Sequence, residues 1–312
     1  MDDIKRKLLK PSKETHQESI GRTICYICTT LIVLMVILIL YFIIARGLAT
    51  FTVNHVNLWD FLSKSNWAPT QVDAHGKPEI GALPMIVTSF SVTILAALVA
   101  TPFAIAAAIF MVVLAPKRGK KILQTVVELL VGIPSVVYGF IGLMVVVPII
   151  RHIWGGTGFG ILSGTLVLFV MILPTITSLT VDSLEAVPRY LLDASLSLGA
   201  TSWQTIYKVM LRSATPGILT AIIFGMARAF GEALAVQMVI GNAAIMPKNL
   251  LTPSATLTSQ LTTEIGNTIS GTLPNNALWS LGLILLLMSL VFNIAVKLIG
   301  KKGMINNESK NR

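Results

Sequence analysis

Six runs of apolar residues set the frame for this chain, because nearly all are long enough to cross a bilayer. At 1.5 Å of rise per residue, about 20 apolar residues in helix match a hydrocarbon core about 30 Å thick. The runs cover residues 23–45, 82–115, 123–150, 161–180, 218–241 and 277–298. Lipid offers the backbone no hydrogen-bond partner, so each run is expected to satisfy its own amides as a helix. Composition agrees: 12% of residues are charged and 54% are hydrophobic, with a mean hydropathy of +0.78. A soluble domain carries about 25% charged residues. The expected fold is an all-α membrane protein with six transmembrane helices.

The segments between the runs differ in character. Residues 1–22 form a polar tail rich in lysine and arginine, and 23–45 is the first transmembrane helix. Residues 46–80 are a largely polar loop with Trp59, Phe61 and Trp67, aromatic residues suited to a membrane interface. From 81 to 299 the pattern predicts five further helices, and 300–312 is a polar tail. The long run 82–115 reads as one long or bent helix with Pro102 at the bend. Pro134 predicts a bend in the third helix, and Pro174 a break in the fourth. Segment 181–215 mixes charges with leucine, alanine and glycine. It is expected to form one or two short helices on the membrane surface with a turn at Gly199. In the polar loop 242–276, Leu257 to Ile265 suits a short helix or a partly re-entrant segment.

Charge placement orients the chain. One side collects residues 1–22, the Lys117–Lys121 cluster, segment 181–215 and the C-terminal tail. The other collects only Arg46, Lys64, Lys77, Arg151 and Lys248. The excess of basic residues beside the span ends places both termini in the cytoplasm. The net charge of +10 is therefore a membrane pattern and does not point to nucleic acid. Cys25 and Cys28 sit in the first run with no second cysteine pair or histidine cluster, and read as small apolar residues.

Two charges inside the fifth run stand out. Arg228 and Glu232 are spaced i, i+4, which on a continuous helix puts them on one face. An arginine at the bilayer centre costs at least about 2.5 kcal/mol on insertion scales, so it marks either a neutralised internal pair or a functional cavity. In a cavity its planar fork suits a tetrahedral oxyanion. Glu128, in the third run, is either a pathway residue or a charge anchoring the helix near its cytoplasmic end.

Segment 181–215 continues as Asp193-Ala-Ser-Leu-Ser-Leu-Gly199-Ala-Thr-Ser-Trp203, and on to Val209, Leu211 and Arg212. This resembles the EAA loop of ABC importer permeases. Asp193, Ala194 and Ser195 match its opening triplet, Gly199 its glycine, and Val209 and Leu211 its apolar end. Arg212 stands where that pattern has proline. Such a loop docks on a nucleotide-binding subunit. Ala194 and Ser195 then allow close packing, Gly199 the turn, and Asp193 a helix cap or an ion pair with the partner. The stretches Arg228 to Asn242 and Glu128 to Gly139 are similar to phosphate-specific permeases of the PstC type, a likeness covering roughly residues 20–300.

The resemblance implies the type I ABC importer permease fold and a cell-membrane location in a prokaryote. It also implies a second, homologous permease subunit, two ATP-binding subunits that use ATP and Mg, and an extracellular or periplasmic phosphate-binding protein. Inorganic phosphate would pass near Arg228 and Glu232, with Glu128 a further pathway candidate. No cofactor or metal is expected on this chain itself. It lacks the Gly-x-x-x-x-Gly-Lys-Ser/Thr run of an ATPase, and His16, His55, His75 and His152 have no metal-motif spacing. A permease for molybdate or sulfate, an ion-coupled transporter and a membrane enzyme stay open as alternatives. The last two lack, respectively, visible repeats with broken helices and a clustered active site.

Overall fold

The computed structural model describes residues 13–72 and 78–308. Lys5, Arg6, Lys7, Lys10, His75 and Lys77, which enter the charge and histidine arguments above, lie outside them. Six helices among the described residues have the length and apolarity to cross a membrane: Gln17–Thr52, Leu83–Leu114, Ser135–Trp154, Ile161–Glu185, Ser202–Phe230 and Leu273–Ala295.

Helix α1 (Lys13–Thr52) is continuous because its run contains no proline to interrupt it. Residues 17–42 are exposed on this chain. The helix meets α13 (Leu273–Glu308) only near its far end. There Gly47 lies against Leu283, Ser280 Oγ donates to Gly47 O at 2.7 Å, and Phe42 meets Trp279 edge-on. Asn276 Nδ2 donates to Asn54 Oδ1, so the partners on α13 fall in number as those on α1 rise. The two helices are antiparallel, and their outer ends leave from the same face of the bundle.

Between α1 and the next span lie a short helix α2 (Leu58–Ser63), capped by Asn57, and a hairpin of β1 (Trp67–Val72) with β2 (Pro78–Ile80). Phe61, fully buried, ties this loop to Ile80, Met85 and Leu278. Helix α3 (Leu83–Ile109) then runs through Pro102 into a π-helical turn at Phe110–Leu114. Small residues Ala96, Ala100 and Ala104, all fully buried, let it lie close to α7 (Ile161–Glu185). Helix α7 also continues unbroken through Pro174, contrary to the expected break. Fifteen of its residues are buried, so neighbours on several sides hold it helical past the proline.

The third run is not one helix over 123–150. Helix α4 (Lys117–Gly132) ends at Ile133-Pro134, and a second helix starts at Ser135. This second helix comprises α5 (Ser135–Ile141), a π turn at Gly142–Val146 and α6 (Val147–Trp154). Proline lacks the amide that would extend α4 and restricts the residue before it. Tyr138 Oη donates to Leu130 O at 2.8 Å, satisfying across the break a carbonyl at the end of α4.

Segment 181–215 also divides differently from the expectation. Helix α7 extends to Glu185, and only α8 (Arg189–Ser197) is a separate surface helix. The chain turns at Gly199 (φ +85) and enters α9 (Ser202–Thr205) through a capping box in which Thr201 and Gln204 exchange hydrogen bonds. From there helix continues through a π turn at Ile206–Met210 and α10 (Leu211–Phe230). The second surface helix is thus the start of the fifth span. After a break, α11 (Leu234–Ile240) continues the direction of travel, parallel to α5. Gly139 there faces Ala235 and Met238, and Gly142 faces Val239. The chain turns at Gly241 (φ +98) and returns to the depth of the break, where α12 (Leu257–Glu264) begins.

Candidate functional site

Helix α10 runs antiparallel to α7 at close range because glycines face it. A side chain on Gly217 would strike Ser183, and one on Gly225 would strike Ile176. One turn beyond Gly225, Arg228 Nη1 donates to Thr175 Oγ1 at 2.7 Å. Thr175 lies about 21 Å along α7, a helix about 37 Å long, so the guanidinium is held near mid-bundle. Tyr138, at the start of α5, belongs to the same buried cluster as Ala229, the residue after Arg228. Arg228 is half-buried.

The structure does not pair Arg228 with Glu232. Helix α10 stops at Phe230, and Glu232 lies in the break before α11, so the two do not share one helix face. Among the described residues no carboxylate lies within 4.0 Å of Arg228; the ion pairs there are Lys64–Asp60 and Lys120–Glu185. Glu232 supports the break itself. Its Oε1 accepts from Ala235 N at 3.3 Å, and its backbone carbonyl accepts from Thr258 Oγ1 at 2.8 Å. It borders a narrow space of about 10 Å³ whose lining mixes Ser89, Thr93, Thr256 and Thr258 with apolar Val92, Leu168, Phe230 and Val236. Further along the same side, Thr262 Oγ1 donates to Gln237 Oε1 at 2.9 Å, and Gln237 Nε2 donates to Thr263 Oγ1 at 3.1 Å.

Glu128 lies apart from both. It is exposed on α4 and accepts from Gln124 Nε2 at 3.0 Å. With Gln124 and Lys120 it makes a polar stripe at i, i+4 spacing that faces Ser178, Asp182 and Glu185 of α7 across a cavity of about 50 Å³. Lys120 closes the outer end of this seam by bonding Glu185. The structure therefore places Glu128 in an interhelical seam on α4, below the helix break that separates it from Tyr138.

The surface segment gathers the other candidates. Asp193 does not cap α8. It sits in mid-helix, exposed, and the N-cap is Pro188 with no side-chain bond. Ala194 is exposed, while Ser195 Oγ lies 3.0 Å from Thr205 Oγ1 and so links α8 to the base of the fifth span. A side chain on Gly199 would meet nothing within 4 Å, so only its positive φ demands glycine. Trp203 is exposed at 65%, as are Tyr190 (65%), Leu198 (89%) and Tyr207 (63%) in the same segment. Leu211 is half-buried at the start of α10. None of the nine residues of α8 is buried, so its outer face is open to a partner.

Sequence reasoning did not reach Thr175 or Tyr138. A threonine directly after an intramembrane proline, and a tyrosine four residues after Pro134, were the available signals.

The sequence profile described as "Binding-protein-dependent transport system inner membrane component" matches residues 100–302. The probable ABC transporter permease protein YqgH of Bacillus subtilis is 50% identical over 283 residues, covering 90% of each chain. The phosphate transport system permease protein PstC of Pasteurella multocida is 35% identical over 253 residues, covering 75% of this chain and 77% of that one. Among solved structures, a bacterial alginate ABC transporter in complex with its alginate-bound periplasmic protein superposes with TM-score 0.59. That match has 15% identity and covers 91% of this chain and 96% of the other. The inward facing MetNI methionine ABC transporter gives TM-score 0.52 at 22% identity, over 69% and 94%.

Proposed function

As this chain belongs to the family of binding-protein-dependent transport system inner membrane components, we propose that with a related partner permease it forms the pathway by which inorganic phosphate enters the cell. It is a multi-pass permease component of a bacterial ABC importer in the plasma membrane, and not an enzyme. Phosphate is the substrate named for its PstC relatives. One observation carries that reading here: Arg228 stands near mid-bundle with a hydroxyl as its protein partner and no carboxylate within 4.0 Å among the described residues. A cation that only oriented helices would be cheaper when neutralised. A cation left free for an anion serves a path for phosphate.

The pathway proceeds from the chain's own residues. Phosphate arrives at the face formed by 46–80, 151–160 and 242–276, delivered by a phosphate-binding protein. It passes the break at Glu232 and meets the guanidinium of Arg228, whose planar fork matches two phosphate oxygens. Glu232, on the entry side of the arginine, keeps the local potential from becoming so positive that the ion is trapped. Release is toward the face of both termini, which the charge pattern assigns to the cytoplasm, past the seam of Glu128. Two ATP-binding subunits, with ATP and Mg, dock on α8 and the turn at Gly199. Asp193 and Ala194 present the exposed face, and exposed Trp203 adds apolar area. The Ser195–Thr205 contact carries the motion of α8 into the helix that bears Arg228.

The test is ATP-dependent phosphate uptake into liposomes holding the assembled importer. Arg228→Ala is expected to abolish uptake while the complex still assembles. Uptake at the native rate in Arg228→Ala refutes the pathway assignment. A native complex that moves sulfate or molybdate in preference to phosphate refutes the substrate.

A further inference from the structure

We propose that Thr175 is a positioning residue for Arg228, holding one arm of the guanidinium so that its remaining edge is presented to the transported oxyanion. The inference rests on the pathway reading above and deepens it. Arginine has five donors in a rigid plane. Unheld, the four rotatable bonds of its side chain spread that plane over many directions. The 2.7 Å bond from Nη1 to Thr175 Oγ1 fixes one corner. Nη2 and Nε have no bonded protein acceptor among the described residues, so a full edge of the fork stays free for two oxygens.

The behaviour of other hydroxyls on the same helix sharpens the argument. Thr177 Oγ1 and Ser183 Oγ donate back to their own helix, to Leu173 O at 2.8 Å and Leu179 O at 2.7 Å. That is the usual resting place of a hydroxyl in an apolar helix. Thr165, Thr175 and Thr180 have no such bond, and of these three only Thr175 has a partner, its oxygen accepting from Arg228. One feature brings the two together: Gly225, one turn before Arg228, sets α10 against Ile176, the residue after Thr175. The close approach of these helices thus sets the direction of the guanidinium.

The experiment uses the full importer in liposomes with saturating phosphate-loaded binding protein, so that delivery does not limit the rate. Thr175→Val keeps the shape and removes the acceptor. Phosphate moved per ATP hydrolysed is expected to fall about tenfold, the scale of a hydrogen bond to a charged group. Thr175→Ser restores the acceptor and is expected to recover at least half of the native ratio. Thr177→Val, which removes a hydroxyl bonded only to its own helix, is expected to leave the ratio unchanged. Native coupling in Thr175→Val together with a dead Arg228→Ala overturns this inference and leaves the pathway reading standing. Native coupling in both overturns both. Equal loss in Thr175→Val and Thr177→Val, or no recovery in Thr175→Ser, shows a packing effect and also overturns it.

Discussion

Replacing Gly225 with alanine tests whether helix contact sets the arginine site. A Cβ at Gly225 would stand 2.6 Å from Ile176 Cγ1 and 2.8 Å from Ile176 Cδ1. Carbon atoms rest at about 3.5–4.0 Å, so the overlap approaches an ångström. Ile176 is fully buried, and its Cγ1 is attached to a β-branched carbon with one preferred rotamer in a helix. The side chain cannot swing away, and α10 must move off α7. Overpacking of this kind costs about 1–3 kcal/mol. Because Arg228 lies one turn further along α10, its 2.7 Å bond to Thr175 is stretched by the same displacement. Ile176→Ala removes both colliding atoms and leaves a cavity, which the new methyl at 225 partly fills. The double variant should therefore be at least about 1 kcal/mol more stable than the sum of the single effects. Equilibrium unfolding titrations in mixed micelles would measure the cycle, with phosphate uptake measured in parallel. Additive singles, or a Gly225→Ala protein with native stability and native uptake, would refute the argument that this contact is tight and positions the arginine.

Two further outcomes follow from the surface segment. Gly199→Ala meets no atom within 4 Å and bears only the strain of a positive φ. It should cost about 1 kcal/mol, with Gly199→Asn costing less, read as a rise in the hydrogen exchange of residues 195–205. The Lys120–Glu185 pair is one-third to two-fifths exposed, at 35% and 43% of its side chains. Lys120→Ala should lower stability by less than about 1 kcal/mol, and raised salt should erase the difference; a larger, salt-independent loss would mean the pair does more than tie α4 to α7.

The break at Glu232 changes what surrounds the arginine. Read as a continuous helix, residues 218–241 put Arg228 and Glu232 on one face, as either a neutralised pair or the lining of a cavity. The break after Phe230 turns Glu232 into a support for α11 and leaves Arg228 without that partner. The seam on α4 is a similar case. Glu128 was visible as a charge beside an apolar run, but its company of Gln124, Ser178 and Asp182 comes from two helices.

What the sequence determined by itself was everything set by composition and local spacing. Bilayer thickness converts an apolar run into a spanning helix, so six spans were legible without any contact being known. Pro134 removes an amide wherever it sits, so a bend in the third run was legible, but not its division into α4 and a separate spanning helix. The turn at Gly199 followed from glycine's access to positive φ. Tertiary structure decided the rest. Pro174 fails to break α7 because packed neighbours hold that helix on several sides. Gly231-Glu232-Ala233 does break the fifth span, although its neighbours are good helix formers, and Thr258, at the start of α12, satisfies the carbonyl of Glu232. The orientation of Arg228 depends on Thr175, 53 positions away in the sequence. Each of these turns on a partner distant along the chain, and local pattern carries no information about which distant hydroxyl or side chain will arrive.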